Sequence, residues 1–133
     1  IVYTEDRNGQ RTEYTCKGEN ELKIPMVVLI NGNSASASEI LAGAIKDYKI
    51  GTLVGTTSYG KGIVQRIIGL QDGSAVKLTV SSYYTPNGNN IHGIGIEPDV
   101  ICEFDSENYY DNGIDNQLEE GRRVLKGLME KGN

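Results

Sequence analysis

Three serines stand at alternate positions, Ser34, Ser36 and Ser38, in the stretch NGNSASASEILAGAIKDY that begins at Asn31. Farther along, Lys61 is held between Gly60 and Gly62 in YGKGIVQ. These are the side chains whose types and spacing could support nucleophilic chemistry. A serine hydroxyl attacks poorly until a positioned base takes its proton, so the sequence has to offer a base as well as a nucleophile. Two bases are available. His92 is the single imidazole, in the loop NGNNIHGIG, with Asp99 and Asp47 as conceivable orienting partners for a Ser-His-Asp arrangement. Lys61 is the other. A lysine acting as a base near neutrality needs its pKa lowered by roughly three units from about 10.4, on the order of 4 kcal/mol, which calls for shelter from water. Flanking glycines permit such a close approach. Gln65 lies four residues beyond Lys61, and a helical turn over 61–65 would bring its amide within about 6 Å of the amine, whereas an extended strand would leave the pair roughly 13 Å apart. The spacing is therefore read as a turn.

The serines also have a purely structural reading. Ser36 and Glu39 match a capping box, in which hydroxyl and carboxylate satisfy orphan amides at a helix start. The two readings are compatible, because the helix start that needs a cap also provides free amides able to stabilise an oxyanion.

The elements that must position these residues follow from the hydrophobic pattern. IPMVVLIN, from Ile24, is a continuous apolar run that predicts a central strand buried on both faces. Ile40, Leu41, Ala44, Ile45 and Tyr48 follow at helical spacing, and GTLVGTT, from Gly51, is short and β-branched. Strand, helix and strand with tight connections form a parallel crossover, which puts the loops bearing Ser36 and Lys61 at the same end of the sheet. Asn8-Gly9 predicts a hairpin within the first 24 residues, and Asp72-Gly73 a second one between RIIGL and SAVKLTVSSYYT, with Val76, Leu78 and Val80 on one face. Thr85 to Asn90 reads as a loop. Leu118, Val124, Leu125 and Leu128 mark a helix over 115–131 that Gly121 and Gly127 weaken.

Composition narrows the function. The 133 residues carry a net charge of −5, which argues against a nucleic-acid partner, and the basic cluster Arg122, Arg123 and Lys126 is interleaved with acids as on a solvated helix face. No apolar run approaches the ~18 residues of a membrane span. Cys16 and Cys102 do not have zinc-site spacing, and whether they pair cannot be read from sequence. The chain opens on IVYTEDRNGQ, without Met, and is read as part of a longer polypeptide.

NGNSASASEILAGAIKDY, VGTTSYGKGIVQ, LTVSSYYTPNG and HGIGIEPDV together resemble the carboxyl-terminal processing, or tail-specific, serine peptidase family over about residues 25 to 100. The resemblance implies an α/β, crotonase-like core of ββα units, of which 1–133 would be the C-terminal part of the catalytic domain. It implies Ser36 as nucleophile, Lys61 as base, Gln65 as the residue orienting the lysine, and the Ala37 backbone amide in the oxyanion hole, with no metal or cofactor. It further implies protein or peptide C-terminal tails as substrate, an upstream PDZ domain, and an extracytoplasmic setting such as a cell envelope or periplasm, membrane-anchored through an N-terminal part. A glycine segment expected to complete the oxyanion hole is absent from these residues, and losing one such donor typically costs about 100- to 1000-fold in turnover. The isolated chain is thus expected to be inactive or nearly so, and to cover an open sheet edge by self-association into a homo-oligomer. Two other readings stay open: a peptide- or hydrophobic-ligand-binding module on the same fold, and the Ser-His-Asp hydrolase using His92.

Overall fold

A computed structural model of the chain describes residues 1–18 and 22–131. Two sheets and three helices build it. The first sheet is antiparallel, ordered β2-β1-β6-β5, from β1 (Val2–Asp6), β2 (Arg11–Tyr14), β5 (Ile63–Gly69) and β6 (Ala75–Tyr84). Both hairpins expected from the Asn-Gly and Asp-Gly pairs are present, with Gly9 and Gly73 at positive φ, where a side chain would be strained. The second sheet is parallel, ordered β3-β4-β7, from β3 (Val27–Ile30), β4 (Thr52–Gly55) and the short β7 (Val100–Ile101) that follows Pro98.

Helix α1 (Ala37–Tyr48) crosses from β3 to β4 as the alternation of apolar residues requires. Ala42 and Ile45 of α1, Ile30 of β3, Leu53 of β4, Tyr83 of β6, and Ile91 and Ile96 of the following loop form the buried cluster between the two sheets. α3 (Asn116–Lys131) covers the other face of the parallel sheet. β3 alternates accordingly: Val28 and Ile30 meet the α1 side, while Val27 and Leu29 lie beneath Gly121 of α3. A Cβ at Gly121 would come within 2.9 Å of the Leu29 side chain, so this glycine, which lowers helix propensity, lets the helix approach the sheet.

β3 is not central as its apolar run suggested. β4 holds the middle position, and β3 is an edge strand with Leu29 still 42% exposed. The pattern reports cover above and below a strand, which β3 has, but carries no information about which neighbours hydrogen-bond to its edges. α2 (Ser106–Asn112) was not anticipated, although Asp105 caps it by accepting from Asn108 N–H at 3.0 Å and Gly113 ends it in the left-handed conformation.

Candidate active site

Ser36 sits where the loop after β3 turns into α1. Its φ of 58° and ψ of −113° are rare for a residue with a side chain, a conformation costing on the order of 1–3 kcal/mol, and such strain persists only where neighbours over-determine it. Here the neighbour is Glu39. Its carboxylate accepts from Ser36 N–H at 2.9 Å, the acidic half of the capping box that S-x-x-E signalled. Glu39 N–H and Ile40 N–H in turn donate to the Ser36 carbonyl, each at 3.0 Å. Ser34 stays in the loop, its hydroxyl accepting from Asn31 N–H at 3.1 Å, and Ser38 lies in the first turn of α1.

Glu39 reaches much farther than a cap. It is completely buried, and the same carboxylate accepts from Gly60 N–H at 2.6 Å, Lys61 N–H at 2.9 Å and the Ser58 hydroxyl at 2.6 Å. Ser58 in turn accepts from Ile96 N–H at 2.7 Å. Burial raises the carboxyl pKa, but the hydrogen bonds from Ser58, Gly60, Lys61 and Ser36 outweigh it and hold the group below the ordinary carboxylate value, ionised at neutrality. One charged side chain therefore fixes the backbones of both the serine turn and the lysine loop. Tyr59 N–H donating to the Ser34 carbonyl at 3.0 Å adds a second tie between them.

The glycines around Lys61 are needed for contact. Gly60 has φ 86°, and a Cβ there would lie 3.0 Å from Gly95 N; at Gly62 it would lie 2.7 Å from His92 N. The loop thus lies flat against the 91–95 backbone, with Gly93 N–H donating to the Gly60 carbonyl at 2.9 Å.

Lys61, Gln65 and Ser36 line one groove of about 520 Å³. The helical turn expected over 61–65 is not there. β5 begins at Ile63, and Gln65 pairs with Thr79 across the sheet, its Nε2 donating to the Thr79 hydroxyl at 3.4 Å. An i, i+4 turn is one way to bring two side chains together; here a register break between Val64 and Gln65 interrupts the strand alternation, and the curved sheet delivers Gln65 to the groove instead. Shelter for the lysine is also missing, since Lys61 is exposed. Val2, Tyr14, Ile40 and Ile63 give the groove its apolar lining.

Tyr83 was missed by sequence reasoning. It is buried at the end of the groove, and its phenol donates to the Lys61 carbonyl. Burial raises its pKa, hydrogen bonding to the Ser36 side chain lowers it, and the Glu39 charge raises it, with an upward net effect that keeps the phenol protonated. Sequence alternation singled out Val76, Leu78 and Val80 on one face of this strand, and Tyr83, at an odd position, carried no signal of this contact.

The groove lining does not include His92. Its side chain is exposed, and its N–H donates to the Asn90 side chain at 2.8 Å. The acids suggested as partners are engaged elsewhere: Asp99 accepts from Leu53 N–H at 2.8 Å and faces Lys46 at 3.5 Å, and Asp47 accepts from Asn87 N–H at 2.8 Å. A second cavity, of about 610 Å³, lies farther along α1 and contains none of Ser36, Lys61 and Gln65. Among the described residues, no group of three or more His, Cys, Asp or Glu is placed to hold a metal ion, and Cys16 and Cys102 are unpaired.

Comparisons with known proteins identify the family. The model of peptidase family S41 matches residues 1–102. The chain is 50% identical over 108 residues to a carboxy-terminal-processing protease of Bartonella bacilliformis, covering 80% of this chain and 25% of that protein. It is 47% identical over 103 residues to a carboxyl-terminal-processing protease of Synechocystis sp., covering 77% and 24%. Among solved structures, it superposes on a photosystem II D1 C-terminal processing protease with a TM-score of 0.73 at 45% identity, covering 77% of this chain and 27% of that one. The tricorn protease shares the fold at a TM-score of 0.65 and 20% identity. The chain thus spans about a quarter of the length of the curated relatives it matches. The architecture is the crotonase-like α/β core of these proteases, and the chain belongs to peptidase family S41, among the carboxyl-terminal processing peptidases.

Proposed function

We propose that the chain supplies the catalytic residues of a serine endopeptidase that cleaves protein substrates near their C-termini through a Ser-Lys dyad. The observation that carries this reading is the shared groove: Ser36, Lys61 and Gln65 line it together, and Glu39 accepts hydrogen bonds from the backbones of both Ser36 and Lys61. Ser36 Oγ attacks the scissile carbonyl carbon while Lys61 Nζ takes its proton. The Ala37 N–H, at the first turn of α1 where amides lack intrahelical acceptors, faces the oxyanion. As the C–N bond breaks, Lys61 returns the proton to the leaving amine, and water then hydrolyses the acyl-serine by the same route in reverse. Gln65 orients the amine. A peptide lying along the groove would exclude water from Lys61, giving the lysine the shelter that these residues alone do not provide.

The relatives are named for C-terminal processing, which supports protein tails as the substrate class. Some relatives are chloroplastic, and an extracytoplasmic setting is proposed for this protein, with anchoring and a PDZ domain supplied by sequence outside 1–133. The second oxyanion donor would also come from outside, so residues 1–133 alone are expected to cleave unfolded protein about 100- to 1000-fold more slowly than the full-length protein.

The test compares Lys61→Ala with His92→Ala in the full-length protein. Loss of hydrolysis with the first and retention with the second is expected. The reverse result would overturn the dyad in favour of His92, hydrolysis indifferent to both changes would overturn both assignments, and no hydrolysis by the unmodified full-length protein would return the binding-module reading.

A further inference from the structure

The groove has a charge of its own. Two basic side chains line it, Lys61, assigned above as the base, and Lys77, within a chain whose net charge is −5. Among the described residues no Asp or Glu lines it, and Glu39, the acid behind it, is fully occupied by four hydrogen bonds. Among the described residues Lys77 has no ion-pair partner. An exposed lysine on a hairpin often points at nothing, but this one occupies a defined place. In the β5–β6 register Lys77 faces Ile67, and Gln65 faces Thr79, so these four residues share one face of the hairpin. Lys77 therefore stands two residues beyond the Gln65 level, about 7 Å along the strand.

We propose that Lys77 is a specificity residue that binds a substrate carboxylate two to three residues to the leaving-group side of the scissile bond. This rests on the dyad reading, which puts the bond beside Ser36 and Lys61. On that reading the Gln65 side chain meets the lysine amine, which puts the bond near the Gln65 level; an extended peptide advances about 3.4 Å per residue, so the 7 Å to the Lys77 level corresponds to two residues of substrate, and the lysine side chain reaches one more. The carboxylate can come from two sources, the free C-terminus of a short tail or an acidic side chain at that distance. Both present the same anion to the Lys77 ammonium, where a charge-assisted hydrogen bond gains over its neutral counterpart. A cation at a fixed distance from the nucleophile would measure how much chain lies beyond the cut.

The experiment uses the full-length protein and matched peptides that share one cleavage sequence. One peptide ends in a free carboxylate two residues past the bond, a second is its C-terminal amide, and a third and fourth are longer amides with Glu or Gln at that position. The quantity read is the ratio of kcat/KM between each carboxylate peptide and its neutral partner. A ratio of about three to ten is expected, falling as salt rises. Lys77→Ala should bring it to about one, Lys77→Arg should restore it, and Lys77→Glu should invert it. The free-acid pair and the Glu/Gln pair report separately which source the site prefers. A ratio near one in the unmodified protein, or one that Lys77→Glu leaves unchanged, overturns the proposal. Ser36→Ala is run on the same peptides. If it leaves turnover intact, the dyad reading fails; if it abolishes turnover while the Lys77 variants do not change the ratio, only the carboxylate site is lost.

Discussion

The two walls of the groove are built on opposite principles. One wall, the start of α1 and the loop over 58–61, is tied together from behind by a single buried carboxylate whose four partners are all within 2.9 Å. The other wall is the β5–β6 hairpin, a twisted edge arm with Ile67 74% exposed and Ile68, Leu70 and Leu78 each more than 45% exposed. Ser36 and Lys61 stand on the first wall, Gln65 and Lys77 on the second. The groups proposed to meet for proton transfer are placed on backbone that cannot move independently, because moving either strips donors from Glu39. The groups proposed to orient the lysine and to recognise substrate are placed on an arm that no such buried tie holds to the first wall. The difference can be tested from either side.

Removing the tie should have the largest effect. Glu39→Gln keeps the shape but replaces one acceptor oxygen with an NH2 donor, so whichever way the amide turns, two of the four donors lose their acceptor. At about 1–3 kcal/mol for each unsatisfied buried group, we expect a loss of about 2–6 kcal/mol in a denaturant titration, with hydrolysis falling further than the folded fraction. If stability is unchanged, the carboxylate is not what joins the two loops. Acid should act on the same point. Since the Glu39 pKa is lowered on folding, its contribution is fully present above the ordinary value of 4.5 and is lost as the pH falls below it through the folded pKa. Glu39→Gln should therefore flatten the acid limb of a stability-against-pH curve.

Gly60→Ala should be next. The new methyl would need φ 86° and would meet three backbone nitrogens at 3.0–3.2 Å, at a cost of about 1–3 kcal/mol. It leaves Ser36 untouched, so a circular-dichroism melt paired with kcat should show activity falling through the displacement of Lys61. A fully active, equally stable variant would show that the loop does not need its close approach to 91–95. On the hairpin side, Ile67→Ser should change stability by less than about 0.5 kcal/mol, as expected of an exposed residue, and a larger loss would mean that the arm is packed against something in solution.

Much of this was legible in the sequence because it is local. The capping box, the helical stripe of α1 and the Asn-Gly and Asp-Gly turns each lie within a few residues, and each led to the element that forms. The pairing of the serine turn with the lysine loop was also legible, because parallel strands bring their loops to one end. The rest depends on distant partners. S-x-x-E announces a cap, but nothing in it says that Ser58, Gly60 and Lys61, some twenty positions on, will donate to the same carboxylate. Gln65 was expected near Lys61 through a helical turn and instead lines the groove from a strand, since spacing along the chain cannot show a register break between Val64 and Gln65. β3 was placed at the centre because its apolar run reports cover on its faces, whereas its edges are set by chain pairing. Lys77 carries no motif, and only the cross-strand register with Ile67 gives it a place.

The central claim is that Ser36 becomes a nucleophile because Lys61, fixed beside it through Glu39, takes its proton. Covalent labelling tests it most directly: the full-length protein is treated with a serine-directed fluorophosphonate and the modified residue and rate are read by mass spectrometry. The adduct is expected on Ser36, with the rate reduced by at least about 100-fold in Lys61→Ala and little changed in His92→Ala. Labelling of Ser36 at an undiminished rate without Lys61, or labelling of a different residue, would contradict it.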